Sequence, residues 1–154
     1  MSAKFTFEIE LKRIAYRPPI TSYKIDVNAC NLSTAKNIAL EKFYSLLYLE
    51  FPELKDIDLA ANGFYPIWRL INVESDRPCK FVINICMRRF NSSKTYFADT
   101  ITCYANTYDK ALSTAASLFY EHFFFNFPDL DYKTLDKNNF YYEYEILNVE
   151  CDSN

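Results

Sequence analysis

Residues 4 to 75 of the chain recur, without a gap, as residues 80 to 151, so that position n answers to position n + 76. Lys4-Phe5 matches Lys80-Phe81, Arg13 matches Arg89, and Phe51-Pro52-Glu53-Leu54 matches Phe127-Pro128-Asp129-Leu130. Ala35, Ala39, Phe43 and Tyr44 return as Ala111, Ala115, Phe119 and Tyr120, and Asn72-Val73-Glu74 returns as Asn148-Val149-Glu150. An internal repeat of this length constrains the fold before any single residue does, because whatever one copy forms the other must form too.

Each copy reads as β-β-α-β. Phe5, Phe7, Ile9 and Leu11 alternate with polar residues, as do Phe81, Ile83, Ile85 and Met87, which is the period-two signature of a strand buried on one face. Turn residues follow, Pro18-Pro19 in one copy and Asn91-Ser92-Ser93 in the other. A second strand is then expected at Tyr23 to Ala29 and around Ile101, Cys103 and Ala105, closing a hairpin. A helix is expected from about Ser33 to Glu50, capped by Asn31 or Ser33, with Thr107 or Asp109 as the cap in the second copy. Pro52 and Pro128 restrict the preceding residue and end the helix. The segments after them, such as 54 to 61, read as loop with at most a helical turn. The last strand is expected over Phe64 to Val73 and Phe140 to Val149.

The expected fold class is therefore α+β, a tandem duplication of a β-β-α-β module forming a pseudo-two-fold body with antiparallel sheet(s) and two amphipathic helices. The first repeat is 1–75, the second 80–154, and 76–79 is a linker too short to let them part. Either one sheet of six strands or two of three would satisfy this pattern. Half of the 154 residues are apolar and 24% are charged, which places the chain among globular proteins rather than disordered ones.

The pattern also bears on function. Gly63 is the single glycine, so the Gly-rich loops that cradle phosphates have no material. His122 is the single histidine, which removes zinc sites built on two or more. Its counterpart is Leu46, so a structural place in the helix's core stripe is expected for it. Five cysteines, Cys30, Cys79, Cys86, Cys103 and Cys151, form no Cys-x-x-Cys pair, and in the cytoplasmic setting expected for the chain they stay thiols. Glu143 and Glu145 share one strand face, which a solvated strand explains better than acid-base chemistry. No catalytic residue, metal site or cofactor is expected. No membrane span is expected either.

Two surfaces stand out. Basic pairs recur at the end of the first strand, Lys12-Arg13 and Arg88-Arg89, and could grip phosphates. Against a nucleic-acid partner stands the net charge of −3. The helices carry aromatic residues beyond the core stripe: Tyr44 and Tyr48 in one copy, Tyr120, Phe124 and Phe125 in the other. Aromatic side chains of this kind are enriched where proteins meet. The expectation is a small non-enzymatic protein-binding module, of the kind a phage uses to inhibit or modulate a host protein, with nucleic-acid binding through the basic tips as the alternative. A homo-oligomer is compatible with the same residues.

Overall fold

A computed structural model describes residues 2–151; Met1 of the expected first repeat and residues 152–154 of the expected second lie outside the described residues. Among the described residues the architecture is α+β, with one antiparallel sheet of five strands and three α-helices. The chain divides into two compact units at Ser75 and Asp76.

In the first unit, β1 (Ala3–Arg13) and β2 (Thr21–Ala29) form a hairpin whose register pairs Phe5 with Val27 and Phe7 with Ile25. Phe5, Phe7, Ile9 and Leu11 are completely buried, so the alternation in sequence is an alternation in burial. Covering each of these side chains contributes about 2 to 3 kcal/mol. Helix α1 (Leu32–Glu50) lies over that face. Asn31 caps it, its side chain accepting from the Thr34 N–H at 2.8 Å. The helix stops where Phe51 donates back to the Leu47 carbonyl and Pro52 opens a short 3₁₀ turn, Pro52–Asp56. Ala35 and Ala39 are fully buried, and with no bulk beyond Cβ they let α1 approach the sheet closely, while Phe43 and Leu47 fill the core further along.

Strand β3 (Phe64–Arg89) corrects the expected strand count. The third and fourth expected strands are one: the residues read as a linker, 76–79, are extended and continue the strand, and Pro78 is tolerated because its fixed φ suits extended backbone. Phe64 to Glu74 pairs with β1, and Cys79 to Arg89 pairs with the last strand.

The second unit has β4 (Thr95–Thr107), α2 (Tyr108–Asn126), α3 (Tyr132–Lys137) and β5 (Phe140–Cys151). Thr107 caps α2 by accepting from the Lys110 N–H at 3.3 Å. Ala111, Ala115, Phe119 and Phe123 form its buried stripe. Between α2 and β5, where the first unit has turns, α3 is a true helix, capped by Asp131. The two units agree in details that sequence identity alone does not require. The β-bulge falls between Thr6 and Phe7 in one and between Val82 and Ile83 in the other. Left-handed backbone occurs at Ala15 and Gly63, and again at Asn91 and Asn139, each 76 positions on. Ile14 N–H donates to the Gly63 carbonyl and Phe90 N–H to the Asn139 carbonyl, both at 2.9 Å.

Candidate protein-binding face

The buried stripe of α2 fixes where the remaining aromatic side chains go. Tyr120 follows Phe119 by one residue, a turn of about 100° around the helix, and therefore projects sideways from the core. Phe124, four residues on, stacks beside it with ring centroids 5.9 Å apart. Two further rings close on this pair from other elements. Tyr132 of α3 lies 5.2 Å from Tyr120 and 4.9 Å from Phe124, and Tyr142 of β5 meets Tyr120 edge-on at 5.8 Å. Tyr132 is 60% exposed and Tyr142 41% exposed, so the cluster is packed within itself and open to solvent on its outer side. Phe125, next along α2, is 85% exposed.

Burial holds the Tyr120 hydroxyl above its ordinary pKa, with Tyr142, Tyr132 and Asp136 adding to the effect. The hydroxyl stays neutral and keeps its capacity to donate. Tyr44 is raised in the same way, by burial first and then by Tyr48.

The first unit has only half of this cluster. Tyr44 and Tyr48 stack at 6.1 Å, but the positions answering to Tyr132 and Tyr142 hold Asp56 and Pro66. The face with four rings thus belongs to the second unit alone. Tyr132 and Tyr142 were not singled out by helix periodicity, because neither lies on the long helix. The comparison Asp56 to Tyr132 and Pro66 to Tyr142 is the signal that reveals them.

The basic tips have another task. Arg13 Nε donates to the Asn62 carbonyl at 3.3 Å while its guanidinium lies over the rings of Phe64, at 4.8 Å, and Tyr16, at 5.3 Å. Arg89 repeats this with the Asn138 carbonyl at 3.1 Å and the Phe140 ring at 5.7 Å. Both arginines brace the entry to the last strand of their unit. Arg88 Nε lies 3.1 Å from the Glu143 carboxylate with its N–H not aimed at the oxygen, which makes a charge contact rather than a hydrogen bond. Lys12 stands opposite Tyr65 in the sheet register.

Two expectations are corrected. His122 is not in the core stripe: it is exposed and bonded through Nδ1 to Asp99 of β4. Its counterpart Leu46 is itself 40% exposed, because positions 46 and 122 precede the buried Leu47 and Phe123 and lie on the helix flank rather than on its core stripe. The cysteines are not all thiols. Cys79 and Cys151 face each other across β3 and β5 and form a disulfide, where the first unit has Ala3 and Ser75. Cys30, Cys86 and Cys103 are free. Among the described residues no group of three or more His, Cys, Asp or Glu side chains could hold a metal ion, and no helix is long and apolar enough to cross a membrane.

No family model, curated protein or solved structure matches the chain.

Proposed function

We propose that the chain is a small non-enzymatic protein-binding module, built from two copies of one β-β-α-β unit, and that its partner docks on the aromatic face of the second unit. The observation that carries this reading is the ring cluster of Tyr120, Phe124, Tyr132 and Tyr142, exposed on one side and drawn from three separate elements. Rigid aromatic side chains bury a large area at little entropic cost, which is why they anchor protein interfaces. Duplication fits this use: the recurring bulge, left-handed residues and arginine braces maintain the unit, and the second copy is then free to gain rings that the first lacks. Acting by occupying a surface would suit an inhibitor or modulator of a larger protein.

A photo-crosslinking residue placed at Phe125, beside the cluster, tests this in cells producing the chain. A discrete crosslinked protein absent when the same residue replaces Tyr16 of the first unit supports the reading. Equal or no crosslinking at the two positions counts against it.

A further inference from the structure

Among the described residues the sheet ends at β2, which pairs with β1 along one edge and with no strand along the other. A groove of about 550 Å³ runs beside that open edge, floored by Ile25, Ile38 and Leu46, with Lys24 and Asp26 on its rim. Helix α1 forms its other wall and runs antiparallel to β2: Lys42 Nζ donates to the Asp26 carbonyl at 3.2 Å, and Thr21 donates to Glu50 at 3.2 Å. Leu49 continues the helix line of Ile38 and Ser45 and is 80% exposed, while Leu46 beside it is 40% exposed. An open strand edge next to exposed leucines is an interface with one side missing.

The charges on β2 say what the missing side is. Lys24 and Asp26 flank Ile25 at equal distance, point to the same sheet face and are exposed. When two copies of β2 lie antiparallel about Ile25, each Lys24 falls opposite the other copy's Asp26. Opposite charges directly across an antiparallel pair are favourable, and a two-fold interface requires this kind of self-complementarity. One Asp26 carboxylate oxygen already accepts from the Thr6 hydroxyl at 2.6 Å, which leaves the other for the incoming ammonium. The same arrangement brings Leu49 of each α1 toward Ile38 of the other. Strand β4 has Thr100 and Thr102 at the corresponding places, so only β2 carries this charge register.

We propose that a second copy of this chain docks on this face, through antiparallel pairing of β2 with β2 centred on Ile25. The Asp26 carbonyl then exchanges the Lys42 ammonium for a backbone N–H of the partner copy.

Sedimentation equilibrium of the full chain tests this, in a Cys30→Ser background so that the exposed Cys30 cannot cross-link copies. The expected result is a reversible dimer. Lys24→Asp places Asp opposite Asp and weakens it about tenfold or more. The exchange Lys24→Asp with Asp26→Lys restores attraction and brings the dissociation constant back to within about threefold of the parent. If Lys24→Asp lowers the melting temperature, Leu49→Glu on the exposed helix flank serves instead and is expected to give the same loss. A chain that stays monomeric, a dimer indifferent to the substitutions, or a loss that the charge exchange does not recover each overturns the proposal.

Discussion

Arg89 Nε donates to the carbonyl oxygen of Asn138 at 3.1 Å, the relationship that Arg13 has with Asn62 one unit earlier. Each guanidinium also covers the phenylalanine that opens the last strand of its unit, Phe140 or Phe64. Substituting either arginine by alanine removes a charge-assisted hydrogen bond and a cation–π contact, and is expected to cost about 1 to 2 kcal/mol in urea unfolding. Lysine recovers less than half, since it lacks the planar Nε–H and the flat face. If the alanine variants are as stable as the parent but lose binding, the arginines belong to an interface and the bracing role fails.

The disulfide joins residues 72 apart, the two ends of the second unit. Closing a loop of that length stabilises the folded state by about 4 kcal/mol, through loss of freedom in the unfolded chain. Under non-reducing denaturation three of the five cysteines should therefore react with a thiol reagent. Cys151→Ser should lower the stability of the second unit far more than Cys30→Ser does. Five reactive thiols would refute the pairing.

Left-handed backbone gives a pair of opposed effects. Ala15, at φ 73°, carries a side chain where glycine is at ease, so Ala15→Gly is expected to stabilise by about 0.5 to 1 kcal/mol. Gly63 sits at φ 80°, and the nearest atom a Cβ there would meet is that of Ile14, at 3.6 Å, an ordinary contact. Gly63→Ala therefore suffers from backbone strain rather than collision, and should destabilise by about 1 kcal/mol. Thermal unfolding that showed both changes neutral would remove the strain argument.

These positions also mark what could be read in advance. The strand alternation at Phe5 to Leu11, the caps Asn31 and Thr107 and the stops before Pro52 and Pro128 were legible because each is a local signal with a local cause. The unbroken β3 was not: Ser75 to Cys79 contains the residues of a turn, and only pairing on either side shows that they stay extended. The disulfide was hidden because Cys79 and Cys151 lie at opposite ends of a unit. His122 lies one residue outside the buried stripe, a boundary that the apolar Leu46 at the matching position hides in the sequence. The aromatic face was half legible, through Tyr120 and Phe124 on one helix. Tyr132 and Tyr142 join it only through tertiary packing.

Tyr44 and Tyr120 occupy matching positions, and burial raises both above the ordinary value of 10.0. A group whose pKa is higher in the folded state contributes stability in full below its unfolded value and loses it as pH rises through the folded one. Stability should therefore hold to about pH 10 and fall above it. Absorbance titration near the tyrosinate band should show a late-titrating fraction that disappears in urea. Titration of every tyrosine at the ordinary value would contradict the burial of these two rings.

Docking of a partner on the second unit's aromatic face is decided by quantitative affinity capture with the parent chain and a Phe125→Ala, Tyr132→Ala double variant side by side. Both residues are exposed, so the variant should keep the parent's melting temperature to within a few degrees. One protein is expected to be recovered in stoichiometric amount by the parent and reduced at least about tenfold by the variant, since anchor residues of this kind are worth about 2 kcal/mol or more. Equal recovery by the two chains, or no stoichiometric partner for either, would contradict it.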